Sequence, residues 1–235
     1  MANLKDKVLA LYASPVGKKY LTGVTGLALV GFTLVHMSGN LAYFSSDLAA
    51  YNAYTKFLHD LGPLLYALEL GLLAFFVFHI VLGINIALGK RKARKANYRM
   101  YRSLGGPSKQ SVASRSMIYT GLILLAFLIL HLITFKFGPG IAEGYVTTLD
   151  GEQARDLKRL VTEKFQNPLY AFGYTAVMIL LALHLRHGIW SAFQSLGAMT
   201  PRLSPVIYAI GGFIGVLIAV GFFVLPLYVY FTGGA

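Results

Sequence analysis

The sequence predicts an all-α membrane protein with five transmembrane helices running up and down. Three observations carry that reading. Apolar residues (AVILMFWYC) make up 56% of the 235 residues, and charged residues only 13%, against about 25% in an ordinary soluble domain. Mean hydropathy is +0.62, too little polarity to cover a water-facing surface. Five apolar stretches, 20–44, 63–88, 115–137, 168–194 and 205–231, each reach the roughly 20 helical residues that a ~30 Å hydrocarbon core demands. With no water in that core, the backbone must satisfy itself as helix.

Taken in order, the stretch from Leu4 to Tyr12 reads as a short surface helix ahead of the first span. The first span follows Lys18 and Lys19 and lacks a small-residue cleavage pattern, so it reads as a retained helix and not a signal peptide. His59 and Asp60 fall in the loop before the second span and read as solvated loop residues. Between the fourth span and the third, residues 151–165 suggest a surface helix opened by Asp150 and Gln153 in a capping-box-like start. Its Leu157, Leu160, Val161 and Phe165 share one face, suited to the membrane interface. The fifth span carries Gly211 and Gly215 as GxxxG, which favours close helix packing, and Tyr228 and Tyr230 suit an aromatic belt. No internal repeat, low-complexity tract or long soluble segment stands out, so 1–235 reads as one domain.

Charge sets the orientation. The segment from Lys90 to Arg115 holds nine basic residues and no acidic one. With Lys5, Lys7, Lys18, Lys19, Arg186 and Arg202, fifteen of the 21 Lys and Arg fall on one side of the membrane, opposed there only by Asp6. The positive-inside rule then places the N-terminus in the cytoplasm and the C-terminus outside. The net charge of +12 records topology, and no nucleic-acid partner is implied. Cysteine is absent, which excludes disulfides, thiolate-bound zinc, Cys-ligated iron–sulfur clusters and covalent c-type haem.

Chemistry therefore falls to histidine. His36, His79, His131 and His184 occupy the first four spans, one each. Counted from Tyr20, Pro63, Arg115 and Pro168, each lies 16 residues into its span, about 24 Å along a helix and past the bilayer midpoint. Alternating helix direction then puts His36 and His131 in the outer half, and His79 and His184 in the inner half. Two pairs of neutral imidazoles on facing helices suit the axial positions of two six-coordinate haem irons, stacked across the membrane. The expected architecture is a four-helix haem bundle plus a fifth helix. A quinol-oxidising bc-type cytochrome would carry two histidines on each of two helices, which no span here does. Intramembrane histidines can also hydrogen-bond between helices or line a proton path, so a haem-free transporter stays open.

Other residues are less specific. Glu69 lies ten residues before His79, and an intramembrane acid is a candidate proton relay or quinone contact, with a snorkelling acid as the plain alternative. Arg186 and His187, with Lys18 or Lys19, could pair with propionates of the inner haem, although ordinary interfacial charge explains each of them singly. Gly23, Gly26 and Gly31 precede His36; small residues there admit close helix packing or a flat macrocycle.

Three segments carry a family resemblance: SPVGKKYLTGVTGLALVGFTLVHMSGNL from Ser14, SRSMIYTGLILLAFLILHLITFKFG from Ser114, and LALHLRHGIWSAFQSLG from Leu181. Together with five spans they resemble the single-subunit, di-haem cytochrome b anchors of succinate:quinone oxidoreductases (succinate dehydrogenase and fumarate reductase), nearest to those of menaquinone-using bacteria. The resemblance implies a multi-pass subunit of the bacterial cytoplasmic membrane. It would hold two haems b, with His36 and His131 on the outer haem and His79 and His184 on the inner one. It would anchor a flavoprotein subunit and an iron–sulfur subunit on the cytoplasmic side and pass electrons between them and menaquinone. Covalent FAD, the iron–sulfur clusters and the dicarboxylate site would belong to those partners, and dimerisation of the complex is a family-level expectation. Some fumarate-reducing members carry a Glu in the fourth span near the haem ligand; here Leu181, Ala182 and Leu183 precede His184, so that proton route is not expected. A di-haem anchor of a hydrogenase or formate dehydrogenase is the nearest alternative class.

Overall fold

The computed structural model describes residues 3–93 and 112–234. The basic segment that orients the topology therefore lies largely outside the described residues. The described residues are predominantly α-helical, with five helices among them long and apolar enough to cross a membrane. The chain is a multi-pass membrane protein.

A short helix α1 (Leu4–Ala13) leads into the first span, α2 (Pro15–Asn40). The side chain of Ser14 caps α2 by accepting from the Gly17 amide at 2.9 Å, and Pro15 takes the first helical position, where its missing N–H costs nothing. That cap starts the helix five residues before the predicted Tyr20, so the spacing of 16 residues fails for this span and holds where later spans open at the predicted Pro63 and Pro168. A 3-10 turn (Leu41–Phe44) ends the span.

The segment around His59 is not a loop. It forms α3 (Ala50–Asp60), with Tyr51 and Asn52 buried beneath it and His59 in its last turn. Such a short, polar helix is marginal alone; tertiary packing and the Lys56–Asp60 ion pair at 2.7 Å hold it. The second span, α4, runs Pro63–Lys92. The third, α5 (Val112–His131), continues into one π turn, Leu132–Lys136.

Beyond it the expected helix at 151–165 proves to be two elements. Residues 146–149 and 152–155 form a β-hairpin, β1 and β2, turning on Asp150 (φ 52) and Gly151 (φ 82). Helix α6 begins only at Leu157 and ends at Phe165, capped by Asp156, whose side chain accepts from the Arg159 amide at 3.0 Å. The Asp150-Gly151 pair is a hairpin turn signal that outweighs the capping pattern. The apolar face of α6 also points elsewhere than expected: Leu160, Val161 and Phe165 are buried against the bundle. The fourth span α7 (Pro168–Ser195) and fifth span α8 (Leu203–Thr232) follow.

The 3-10 turn, α3, the hairpin and α6 gather at one end of the bundle, here called the cap end. There Tyr43, Tyr51, Val161, Phe165, Tyr174, Leu225 and Val229 form one core, while Val30, Met37, Leu185, Ile189 and Ile218 form a second within the spans. Helix α8 lies along α7, as its GxxxG predicts: a Cβ on Gly211 would stand 3.2 Å from Ile189, and one on Gly215 3.1 Å from the Ala182 carbonyl. Helix α2 packs on both α4 and α7, approaching α7 closely where Gly23 faces Ala192, and α5 packs on α7. Contact between α4 and α5 is sparse by comparison. The rest of the apolar surface, such as Leu70, Val77, Ile133 and Phe213, faces outward toward lipid.

Candidate functional site

The bundle brings the four histidines together in two pairs. His36 of α2 and His131 of α5 meet near the cap end, with ring centroids 5.8 Å apart and planes at 84°. Two imidazoles each bound at about 2 Å to a shared metal ion would have ring centres about 6 Å apart. Stacked aromatic rings brace both: Phe32 lies 5.5 Å from His36, and Phe127 lies 5.8 Å from His131. Phe222 closes on His36 from α8, while Phe135 and Tyr174 flank His131. The Nδ1 of His131 is buried with no hydrogen-bond partner among the described residues, and a buried polar nitrogen left unsatisfied costs about 1–3 kcal/mol.

The second pair lies further from the cap. His79 of α4 and His184 of α7 each lie 16 residues from the proline that opens their span at the cap end, and so stand at a like depth. A threonine from a neighbouring span holds each ring: Thr25 Oγ1 is 3.2 Å from His79 Nδ1, and Thr120 Oγ1 is 3.1 Å from His184 Nδ1. The glycine that follows each threonine makes room for the same ring. A Cβ on Gly26 would come 3.1 Å from His79 Cε1, and one on Gly121 would come 3.5 Å from His184 Cε1.

Of these supporting residues only Gly26 is singled out by sequence, yet a signal for the others is present. Residues 25–36 read TGLALVGFTLVH and residues 120–131 read TGLILLAFLILH, sharing Thr, Gly, Leu, Leu, Phe and His in register. The expectation of no internal repeat is thus corrected. Each copy supplies a threonine and a glycine to a histidine of the second pair, a stacking phenylalanine, and a histidine to the first pair. The following elements repeat as well: α3 leads to Pro63 and α6 to Pro168, each with two residues between the short helix and the proline, and both prolines open a span that contains its histidine 16 residues on. His36 and His131 are equivalent positions in this repeat, and so are His79 and His184.

Among the described residues no group of three His, Asp or Glu side chains is placed to share a metal ion, so each pair could offer two ligands. Two neutral imidazoles, flat glycine and aromatic walls, and one orphaned ring nitrogen fit the axial pair of a haem far better than a polydentate ion site.

The other candidates are placed as follows. Glu69 of α4 is paired with Lys136, the last residue of the π turn. That turn closes with Phe137 N–H donating to the Leu132 carbonyl at 2.8 Å, a five-residue step. Such a bulge resets the helix register at the end of α5 and carries Lys136 to α4. Arg186 donates to Tyr208 Oη at 2.8 Å and lies over its ring, while His187 sits beside Trp190. Lys18 lies near the Tyr12 ring. Gly31 meets nothing within 4 Å and serves neither packing nor a histidine.

The cap ties into the first pair. Asn40 donates to the His36 carbonyl at 2.8 Å and accepts from Tyr51 Oη at 3.2 Å. Burial pushes the Tyr51 phenol well above its ordinary range, so it remains a donor. Asn52 donates to Asp156 at 2.8 Å and accepts from the Lys158 amide at 2.9 Å, locking α3 to the start of α6. Arg155 donates to the carbonyls of Pro139 and Gly138, pinning the turn after the third span. A groove of about 420 Å³ between α5 and α7, walled by Phe127, Tyr170 and Tyr174, opens beside the rings that flank His131.

No protein-family model, curated protein or solved structure matches the chain.

Proposed function

We propose that the chain is a di-haem cytochrome b that anchors a succinate:menaquinone oxidoreductase. It would carry electrons between an iron–sulfur subunit docked on the cytoplasmic face and menaquinone near the outer face. The observation that carries the proposal is the pairing of four intramembrane histidines into two two-ligand sites at different depths, each drawn from two spans. His36 and His131 would hold the outer haem, and His79 and His184 the inner one, with the cap end outside. Bound haem supplies one-electron transfer; the protein supplies spacing, burial and ligand orientation. Two axial imidazoles leave no vacant position for a substrate, which suits a relay.

The family assignment, with its flavoprotein and iron–sulfur partners and menaquinone as substrate, rests on the sequence resemblance. Glu69 and Lys136 suit the outer quinone step, because a carboxylate beside an ammonium can take up a proton or hold a carbonyl. A haem anchor of another respiratory complex is the second reading, favoured by the same histidine geometry.

The deciding experiment is spectroscopic. The purified chain should show b-type absorption bands and two haems by pyridine assay, and purification from its host should bring a flavoprotein that reduces those haems with succinate. Absence of b-type bands refutes the haem reading. Haem reduced by hydrogen or formate and not by succinate moves the protein to the other class. His36→Ala and His131→Ala should disturb one haem, and His79→Ala and His184→Ala the other.

A further inference from the structure

The histidines of the second pair are held differently from those of the first, and the difference assigns a role to two threonines. The hydroxyl of Thr25 donates its single proton to its own helix, with the Leu21 carbonyl at 2.9 Å and the Thr22 carbonyl at 3.2 Å. Thr120 does likewise toward Met117 at 3.1 Å and Ser116 at 3.2 Å. A hydroxyl has one proton and two lone pairs. With the proton committed to the backbone, each oxygen can meet the neighbouring imidazole only as an acceptor. The Nδ1 of His79 and of His184 must then carry the hydrogen, and the lone pair rests on Nε2.

We propose that Thr25 and Thr120 are positioning residues that hold His79 and His184 in the Nδ1–H tautomer, with Nε2 aimed as the metal-binding nitrogen. This rests on the two-haem reading and deepens it. The partner of a ligating histidine fixes its tautomer and ring orientation and raises its basicity. Both threonines are nearly buried, at 5% and 4% exposure, so water does not compete for the bond. Each belongs to a span other than that of its histidine, so the contact also locks α2 to α4 and α5 to α7. The repeat makes the case twice over: two equivalent threonines, two equivalent rings, the same nitrogen. In the first pair, His131 Nδ1 has no such acceptor, so the two centres differ in their supporting shell.

The test compares Thr25→Val and Thr120→Val, which keep the shape and remove the hydroxyl, with Thr25→Ser and Thr120→Ser, which retain it. Thr33→Val serves as a control, since that hydroxyl bonds only its own helix at Leu29. The readouts are the haem-to-protein ratio, the low-spin electron paramagnetic resonance signals and the midpoint potentials, with each signal assigned through His36→Ala and His79→Ala. The Val variants should shift the g-values of the inner haem, raise its potential because its ligand becomes a weaker donor, and weaken its retention about 10- to 100-fold. The outer signal should stay in place, and the Ser variants should restore the inner one. Val variants with both signals at wild-type positions overturn the proposal while leaving the haem reading intact. A shift confined to the outer signal, or an equal shift in Thr33→Val, overturns it too. A haem-free wild type overturns both readings together.

Discussion

The repeat makes a quantitative demand on Gly26 and Gly121. They are equivalent by sequence but differ in the room they leave. A methyl at Gly26 would stand 3.1 Å from His79 Cε1, while one at Gly121 would stand 3.5 Å from His184 Cε1. Carbon atoms rest at about 3.5–4.0 Å. Gly121→Ala therefore makes an ordinary contact, whereas Gly26→Ala must push the His79 ring away by roughly 0.5 Å, the tolerance of a working ligand geometry. That push acts on a ring already anchored at 3.2 Å to Thr25. Overpacking of this kind costs about 1–3 kcal/mol, against a helix-propensity gain near 1 kcal/mol for replacing Gly by Ala. Gly121→Ala should thus be neutral or stabilising by up to about 1 kcal/mol, with the inner-haem spectrum preserved. Gly26→Ala should lose up to about 2 kcal/mol and broaden or deplete the inner-haem signal alone. Thermal melts in detergent, followed with the absorption spectrum, measure both quantities. If Gly121→Ala proves the more damaging of the two, the packing argument is wrong.

Glu69→Gln should slow quinone-linked electron transfer while leaving haem content unchanged, and Lys136→Met should do the same if the pair acts together; unaltered turnover in both, assayed with a water-soluble menaquinone analogue, removes the pair from the quinone step. Asn52→Leu breaks the bonds to Asp156 and to the Lys158 amide, and should cost about 2–4 kcal/mol, read as faster hydrogen exchange in α3 and α6; protection equal to wild type contradicts the cap as described. The Glu163 carboxyl accepts from Tyr145 and Arg159, which hold it below the usual carboxylate range. Its stabilising contribution is present above the unfolded-state pKa and is lost as pH falls through the lower folded value. Proteolysis between residues 139 and 165 should therefore rise at acid pH, and Glu163→Gln should flatten that dependence; because the groups are exposed, the effect should be small and salt-sensitive.

The spans were legible because bilayer thickness leaves a sequence little choice: twenty apolar residues have one fate. The histidines were legible for a related reason, since an ionisable group in hydrocarbon needs a partner or a function. What escaped were elements that tertiary contacts decide. Helix α3 exists because Tyr51 and Asn52 are buried against α6 and β2, which no local pattern records. The helix read at 151–165 lost its first turn to a hairpin because Asp150 and Gly151 accept positive φ. The apolar stripe of α6 is legible as a stripe, but its burial against the bundle is not, because the sequence does not say which apolar surface a helix will find.

The repeat is hard to see in the sequence for a different reason, and most of the supporting residues are hidden with it. Leucine and glycine are expected everywhere in a membrane span, so TGLxLxxFxxxH looks like ordinary hydrophobic sequence until the two copies are laid over one another. The structure gives the copies meaning by using each position in the same way twice: threonine to a ring nitrogen, glycine to a ring edge, phenylalanine to a ring face. Where it departs from symmetry is equally informative. Helix α2 closes on α7 through Gly23 and Ala192, but the equivalent approach of α5 to α4 is loose and bridged at the cap end by Glu69 and Lys136. The Gly23–Ala192 contact lies at the end of the bundle away from the cap, whereas the ion pair lies at the cap end. In the register of the repeat its two members correspond to Tyr174 and Leu41, which cannot form an ion pair, and this is why Glu69 and Lys136 are the residues to test for the quinone step.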